Sequence, residues 1–381
     1  MSPWVPDRGV LLHVGPPKTG TTALQNSLAA ARDRLARRDV VYPGKKVSHW
    51  YPSCAVLGRS ATAHPADPPV PIESWERLVR RVARRPGRAI VSSEGFADAE
   101  PEQIDRIVAD LGGSAVHVLI TVRGLGAILP STWQQDLKSG APVPLPGVMA
   151  RMKSRVVKPF DEWVAETLGD TRGKSLFWWR NDFSALAQRW AEAVGPDNVT
   201  VAVVSSDDPD RILRDAESLV GLPDRFLRRE GKANRSLSRQ ESELVRRWLV
   251  RLESDQFLTP RRYHDWVRRG GLWNLVEARR PGPGEARLAI TTDAVQPLQE
   301  RTDRIVAGLT GYRVLGDLAD LAVVPPGSAP PSDPGWAPDD VAIELLMGVL
   351  HAVDRQVPVD ESESGGELRA TLADRLRRRR R

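Results

Sequence analysis

Residues 13–22 read His-Val-Gly-Pro-Pro-Lys-Thr-Gly-Thr-Thr, and the architecture of the chain can be worked out from them. The apolar run Val10–Val14 predicts a short buried strand that stops at Gly15. Leucines at helical spacing after the last two threonines predict a helix over residues 21–35. A strand, a glycine-containing turn and a helix therefore follow one another within a few residues.

The turn between that strand and that helix has the chemistry of an anion-binding site. The first N–H groups of a helix have no partner within the helix, and they point outward together with the positive end of the helix dipole. Lys18 adds a cation to this turn, and Thr21 and Thr22 add hydroxyl donors at the start of the helix. The segment therefore predicts a phosphate-binding loop.

The spacing within the loop differs from that of nucleoside triphosphatases. Their loop reads G-x-x-x-x-G-K-[ST], with the lysine directly after the second glycine. Gly15 and Gly20 have the same separation here, but Thr21 stands at the lysine position and Lys18 lies two residues before Gly20. No apolar strand ends convincingly in an aspartate that would hold a magnesium nucleotide. A kinase or other nucleotide-binding protein with a displaced lysine is nevertheless an alternative.

The first two-thirds of the chain alternates predicted strands with predicted helices. Further strands are expected at 89–92, Val116–Val122 and 199–204, and a helix is expected at Phe183–Val194. This alternation predicts a P-loop-type α/β fold, in which a parallel β-sheet is flanked by helices. From Ser236 onward the pattern is mainly helical, so we expect a helical C-terminal extension.

Composition divides the chain into three parts. Residues 1–322 form the predicted α/β domain. Residues 323–340 are rich in Pro, Gly, Ser and Asp, which predicts a linker. Residues 341–381 predict a helical segment followed by an Arg-rich tail, which we interpret as a solvated end of the chain.

The overall composition is that of an ordinary globular protein. A net charge of +6 over 381 residues is a mild excess, which suits an anionic ligand and disfavours nucleic acid as the main partner. With a single Cys54, no apolar run long enough for a membrane span and no signal-peptide pattern, we expect a cytoplasmic protein. The spacing of the His and Cys residues offers no metal site, and the oligomeric state is left open.

Residues 15–25, Gly-Pro-Pro-Lys-Thr-Gly-Thr-Thr-Ala-Leu-Gln, resemble the 5′-phosphosulfate loop of sulfotransferases that use 3′-phosphoadenosine 5′-phosphosulfate (PAPS). The core of the family loop, P-K-[ST]-G-T-T, is matched at every position. The resemblance extends over about residues 8–250 and is to bacterial, carbohydrate-sulfotransferase-like members. It implies that PAPS is the co-substrate, that no metal is required, and that the donor is bound by Pro17, Lys18, Thr19, Gly20, Thr21 and Thr22.

Two further segments resemble the 3′-phosphate site of this family. Arg123 follows the third predicted strand and Ser131 lies eight residues later, where the family holds the 3′-phosphate with an arginine and a serine. Residues 231–238, Gly-Lys-Ala-Asn-Arg-Ser-Leu-Ser, resemble the late loop that closes over the nucleotide. The resemblance implies contacts from Lys232, Asn234 and Arg235, whereas a simple basic helix cap is the alternative.

Glu94 follows the second predicted strand, at the place where carbohydrate sulfotransferases carry a catalytic glutamate. A carboxylate at the carboxyl end of a parallel strand faces the ligand crevice and can accept a proton there. The resemblance therefore implies that Glu94 is the base, and a glutamate that orders the loop or pairs with an arginine is the alternative. Since the small-molecule branch of the family uses a histidine, His49 and His64, in the loop before this strand, are candidate bases or acceptor contacts.

These residues together predict a sulfotransferase that moves a sulfuryl group from PAPS to a hydroxyl or amine of a carbohydrate or small-molecule acceptor. In this prediction Lys18 stabilises the leaving group by neutralising charge on the bridging oxygen. A kinase with a displaced lysine and a non-catalytic anion-binding scaffold are the alternatives. The acceptor cannot be read from the sequence, because acceptor loops are the variable part of such folds.

Overall fold

The computed structural model describes residues 4–61, 68–139, 158–205, 207–230, 235–254, 262–325 and 338–354. Its strands form one sheet in which every pair of neighbours is parallel. In chain order the strands are β1 (Val10–Val14), β2 (Val40–Val41), β3 (Arg88–Ser93), β4 (Val116–Val122), β5 (Val199–Val203) and β6 (Arg313–Leu315). Their spatial order is β2-β3-β1-β4-β5-β6.

Helices flank this sheet, as the alternating pattern predicts. Among the described residues, no helix is both long enough and apolar enough to cross a membrane. The helices are α1 (Thr21–Ala30), α2 (Arg32–Ala36), α3 (Trp50–Val56), α4 (Glu73–Ala83), α5 (Pro101–Leu111), α6 (Leu125–Ser139), α7 (Phe160–Gly169), α8 (Leu176–Asn181), α9 (Phe183–Val194), α10 (Arg211–Val220), α11 (Arg239–Ser254), α12 (Tyr263–Leu272, a π-helix), α13 (Trp273–Ala278), α14 (Thr292–Leu309) and α15 (Asp339–Asp354).

The central strand β1 lies between β3 and β4. Val14, the last residue of β1, is level with Ser93 of β3 and Ile120 of β4. The carboxyl ends of the three strands therefore lie along one edge of the sheet. From β1 the chain continues toward β2 on one side, whereas from β4 it continues toward β5 on the other. An open α/β sheet binds its ligand at such a switch point.

Helix α1 is fixed at that edge by apolar packing. Its Leu24 and Leu28 are fully buried in a cluster with Leu11 of β1 and with Leu213 and Leu219 of α10. Burying a leucine side chain contributes about 1.5–3 kcal/mol relative to leaving it exposed. This packing sets the position of the first turn of α1, and hence the direction of its N–H groups.

The structure confirms the predicted α/β fold and differs in local details. The helix expected over residues 21–35 is interrupted at Ala31, where φ is −91° and ψ is 5°, and so becomes α1 and α2. Strands β2 and β6 were not predicted, because runs of two and three residues are too short to show the alternation of a strand.

By its internal contacts the chain divides into two compact units. The first comprises residues 1–255 and 281–336, and the second comprises residues 256–280 and 337–381. The described part of the second unit is helical, as expected for the C-terminal extension. Within it Gly270 and Gly348 lie so close that a Cβ atom on Gly270 would be 2.7 Å from the carbonyl oxygen of Gly348.

The predicted linker lies mostly outside the described residues, as does the Arg-rich tail. The proposed boundaries at residues 322 and 340 therefore stay a prediction.

Candidate functional site

The loop after β1 is tightly folded around Gly15. A Cβ atom on this residue would lie 2.2 Å from Cγ2 of Thr21 and 2.8 Å from Oγ1 of Thr121. Gly20, directly before α1, has φ +81°, and Lys18 has φ +74°, a conformation that side chains other than glycine rarely adopt. Such backbone strain is concentrated at functional sites, where the surrounding structure holds it in place.

Buried side-chain hydroxyl groups connect the loop to the sheet by hydrogen bonds. The Thr19 hydroxyl donates to the carbonyl oxygen of Pro16 at 2.7 Å, so its oxygen accepts from the Thr121 hydroxyl on β4, which lies 2.8 Å away. Thr121 in turn accepts from Nε2 of His13 on β1 at 3.2 Å. Thr19 is fully buried, and its side chain therefore supports the loop from inside.

The same chain of hydrogen bonds continues from His13 to β3 and α1. Because Nε2 of His13 donates, its Nδ1 is free to accept from the Ser92 hydroxyl at 2.8 Å, and Ser92 accepts from the Gln25 amide at 3.1 Å. Burial lowers the pKa of His13 to about 3, so the ring is neutral at physiological pH. Strands β1, β3 and β4 and helix α1 are thereby linked to the loop by one chain of hydrogen bonds. In each of these bonds the donor lies on the same side along the chain, from Gln25 to the Pro16 carbonyl.

Lys18 and Arg123 bring two cations to the loop. The Lys18 ammonium donates to Oε1 of Gln135 on α6 at 2.9 Å. Burial lowers the pKa of Lys18, and the carboxylates of Glu94 and Asp136 oppose this shift. Arg123 follows β4 directly, and its guanidinium donates to the backbone carbonyl of Lys18 at 3.4 Å. The two cations predicted from separate motifs therefore lie at one site.

Glu94 lies on the other side of β1 and is hydrogen-bonded to α1. It begins a 3₁₀ turn, Glu94–Asp98, directly after β3. Its Oε1 accepts a hydrogen bond from the hydroxyl of Thr21, the first residue of α1. The predicted base and a predicted donor-binding threonine are therefore in direct contact.

A buried ion pair lies at the end of the same 3₁₀ turn. Asp98 pairs with Arg59 and with Arg180 of α8, whose Nη2 donates to Oδ2 at 2.8 Å. Burial alone would raise the pKa of Asp98, but Arg180 and Arg59 outweigh it and lower that pKa to about 2. Arg180 also interacts electrostatically with Glu94 and Asp136, so it adds positive charge beside the predicted base.

Asp136 of α6 was not predicted as part of the site. Burial raises its pKa to about 6, and the nearby cations Arg180 and Lys18 limit this rise. The polar run Gln134-Gln135-Asp136 follows the predicted Ser131 closely, and it was the sequence signal for these contacts.

Ser131 also lies on α6, downstream of Arg123. Its hydroxyl donates to the carbonyl oxygen of Ala127 within the helix at 2.9 Å. Ser131 and Arg123 are both partly exposed, and both lie on the segment that follows β4. The hydroxyl proton of Ser131 is therefore donated to its own helix, in a bond that Ser and Thr side chains commonly form.

Of the three residues predicted to contact the nucleotide from the late loop, only Arg235 is described, because Lys232 and Asn234 lie outside the described residues. Arg235 forms a two-pronged ion pair with Glu241 of α11, at 2.7 and 2.9 Å. Its carbonyl oxygen accepts from the Lys138 ammonium of α6 at 3.5 Å. Burial first, and then Lys18 and Arg235, lower the pKa of Lys138 to about 8, so three cations interact electrostatically here.

The candidate histidines are placed differently from the glutamate. His49 is buried, its Nδ1 accepts from the Ser92 N–H at 3.0 Å, and its Nε2 lies 2.8 Å from the carbonyl oxygen of Pro43. Burial lowers the pKa of His49 to about 4. Since both ring nitrogens have backbone partners, neither is open to an acceptor. His64 lies outside the described residues.

Across the described ranges, no group of three or more His, Cys, Asp or Glu side chains is placed to hold a metal ion. The charged groups that meet at the loop are the cations Lys18 and Arg123 and the carboxylates Glu94 and Asp136.

The sheet and the loop after β1 define a P-loop-type α/β protein with a candidate anion site. No family model and no curated protein matches the chain. Among solved structures, the chain is similar to one described as the crystal structure of a sulfotransferase from Alicyclobacillus acidocaldarius, with 16% sequence identity and a TM-score of 0.38. That similarity covers 69% of this chain and 99% of the other. At this distance it does not bear on function, which has to be argued from the site.

Proposed function

We propose that this chain is a sulfotransferase that transfers a sulfuryl group from PAPS to a hydroxyl or amine of a carbohydrate or small-molecule acceptor. The observation that carries the proposal is the convergence of Lys18, Arg123 and Glu94 on a loop whose sequence matches the family pattern. Cations and a helix N-terminus favour an anionic donor, and a carboxylate at the same place suits proton transfer.

The residues of the loop fit a phosphate group. Gly15 has no room for a side chain, and the positive φ values of Lys18 and Gly20 shape the backbone into a tight turn before α1. Helix α1 has no side-chain cap. The Ala23 N–H donates to the Gly20 carbonyl at 3.1 Å, which leaves the N–H groups of Thr21 and Thr22 for a ligand. We assign the 5′-phosphate to these N–H groups together with the hydroxyl of Thr22. Thr21 contributes its backbone N–H, because its one hydroxyl proton is donated to Glu94.

Supporting roles follow for the other loop residues and for the 3′-phosphate. The buried Thr19 side chain supports the loop rather than contacting the donor, and Pro17, whose ring fixes its φ angle, is assigned to the shape of the loop. Arg123 and Ser131 hold the 3′-phosphate in this proposal, because a guanidinium and a hydroxyl both donate to phosphate oxygens. Ser131 has one hydroxyl proton and would exchange its hydrogen bond to the Ala127 carbonyl for this contact. A 3′-phosphate would thus be selected over the unmodified ribose of ATP.

The late loop contributes further positive charge to the same end of the donor. We assign Lys232, Asn234 and Arg235 to the 3′-phosphate or the adenine. Arg235 is held by Glu241 in the described structure, so it can reach the nucleotide only by exchanging that partner or by sharing its remaining N–H groups.

The chemistry requires stabilisation of a leaving oxygen and removal of one proton. PAPS supplies a sulfuryl group that is joined through a bridging oxygen to a good leaving group. In this proposal the ammonium of Lys18, held by Gln135, would neutralise charge on that oxygen as its bond to sulfur breaks and adenosine 3′,5′-bisphosphate leaves. Such preorganised stabilisation is often the largest catalytic contribution. Glu94 accepts the proton of the attacking acceptor, and no metal is required because a sulfuryl group carries less charge than a phosphoryl group.

The test is a calorimetric titration with adenosine 3′,5′-bisphosphate, with ATP plus magnesium in parallel. The wild-type chain is expected to bind the bisphosphate, and Lys18→Ala or Arg123→Ala should each weaken that binding about 10- to 100-fold. This range corresponds to the loss of one hydrogen bond to a charged group. Lys45→Ala removes an exposed lysine and is the matched control, for which no change is expected.

Two outcomes contradict the proposal. Binding of ATP with magnesium but not of the bisphosphate favours the kinase alternative. Binding of neither nucleotide to a folded chain favours the non-catalytic scaffold. Either result would be clear without knowledge of the acceptor.

Glu94→Gln separates proton transfer from donor binding. Glutamine retains an oxygen that can accept from Thr21, so the affinity for the bisphosphate is expected to change by less than about threefold. Turnover of PAPS with an acceptor found in a panel of sugars, phenols and amines should fall about 100- to 10,000-fold, as for loss of a general base. Unchanged turnover would show that this carboxylate only orders Thr21.

A further inference from the structure

A cavity of about 370 Å³ lies among α8, α9, α14 and the turn that precedes α8. Its walls are unusually rich in arginine. Two tryptophans, Trp178 and Trp179, and one acidic residue, Asp182, complete its charged and aromatic lining. The arginines that line it are Arg172, Arg189, Arg301 and Arg304.

Two of these arginines are held in position by aromatic rings. The guanidinium of Arg189 lies 4.0 Å from the ring centre of Trp179, and that of Arg301 lies 4.1 Å from the ring centre of Trp178. Stacking fixes the plane of a guanidinium and leaves its edge open to hydrogen-bond acceptors. Nη2 of Arg189 donates to the carbonyl oxygen of Trp179 at 2.8 Å and Nη1 of Arg301 donates to that of Thr171 at 3.5 Å. Nε of Arg189 is buried and has no hydrogen-bond partner among the described residues.

Carboxylates near the cavity, Asp182 among them, interact electrostatically with Arg189 and Arg301 but form no ion pair with them in the described chain. None of the cavity's four arginines forms a salt bridge with any described residue. Its one acidic residue, Asp182, already accepts from the Ala185 N–H at 3.2 Å and from the Ser184 hydroxyl at 2.7 Å, because it caps α9. Burial lowers the pKa of Arg189 to about 10, which still leaves it charged at neutral pH but poorly solvated.

We propose that this cavity binds a phosphate or sulfate ester, at a site separate from the loop after β1. Guanidinium groups donate in pairs to tetrahedral oxyanions, and stacked guanidiniums lose little freedom when they do so. The volume exceeds that of a single oxyanion, so the ligand is an ester with an attached group about the size of a sugar. This inference does not depend on the proposed sulfotransferase activity.

The test uses glucose 6-phosphate and glucose 6-sulfate as probes in calorimetric titrations of the full chain. Lys18→Ala combined with Arg123→Ala provides the background, so that binding at the loop does not contribute. One binding site for at least one probe is expected there. Adding Arg172→Gln and Arg304→Gln, both exposed at the cavity, should weaken it about tenfold or more, as for the loss of charged hydrogen bonds.

The control removes the same amount of charge elsewhere. Arg37→Gln with Arg38→Gln replaces two exposed arginines after α2 and is expected to leave the affinity unchanged within about twofold. Absence of binding in the background chain, or an equal loss in the control, overturns the proposal. The phosphate and sulfate probes distinguish the two kinds of ester. If the loop fails to bind the bisphosphate while the cavity binds a probe, only the proposed function is lost.

Discussion

Alanine at Gly15 is expected to abolish binding of adenosine 3′,5′-bisphosphate while the rest of the fold persists. The added Cβ would lie 2.2 Å from Cγ2 of Thr21, 2.7 Å from Nε2 of His13 and 2.8 Å from Oγ1 of Thr121. None of these atoms can move easily, since each side chain is held by a hydrogen bond to another element. The loop must therefore shift away from β1, and the donors of α1 lose their alignment.

Gly15→Ala is expected to change both the folding free energy and the affinity for the bisphosphate. Overpacking of this kind costs about 1–3 kcal/mol of folding free energy, measurable by urea denaturation. The affinity for the bisphosphate should fall by about 100-fold or more, because several charge-assisted hydrogen bonds are lost together. Calorimetry at a temperature where the variant is still folded separates the two effects.

The matched control is Gly169→Ala at the end of α7, where no atom lies within 4 Å of the added Cβ. It is expected to leave both stability and affinity nearly unchanged, since no neighbour has to move. Normal binding by the Gly15→Ala variant would mean that the loop does not form the ligand site.

The loop, the central strands and the helix that follows the loop could be predicted because their signals are local. The apolar run Val10–Val14, the glycine at its end and the leucines of α1 are all contained in about 20 consecutive residues. Arg123 could be placed for the same reason, since it follows an apolar strand directly. Site residues whose placement depends on neighbours in the sequence can therefore be predicted from the sequence alone.

The supporting residues could not be predicted, because they are brought together by the register of the sheet. Thr121 lies 102 residues from Thr19, and their hydroxyls meet only because Val14 is level with Ile120 in the neighbouring strand. His49 was likewise misplaced by its sequence context. It was predicted as a loop residue that could face the acceptor, but its ring is buried and accepts a hydrogen bond from the Ser92 N–H near the end of β3.

Asp98→Ala is expected to lower the free energy of unfolding more than Gly15→Ala does. The carboxylate is buried and pairs with Arg59 and Arg180, whose side chains are themselves only 11% and 21% exposed. Its removal takes away the carboxylate that pairs with two poorly solvated guanidiniums. Breaking a buried pair in this way costs about 3–5 kcal/mol, which urea or thermal denaturation at neutral pH would measure. The exposed Asp7, which pairs with Arg88, provides the control Asp7→Ala, for which only a small loss is expected.

The same carboxylate predicts a dependence of stability on pH. The pKa of Asp98 is lowered from 3.8 to about 2 in the folded chain, so the folded state binds its proton less readily than the unfolded state does. Its contribution is therefore complete above about pH 4 and is lost as the pH falls toward about 2. The difference in unfolding free energy between the wild type and Asp98→Asn should shrink over this range. A difference that stays constant with pH would show that the ion pairs with Arg59 and Arg180 do not stabilise the fold.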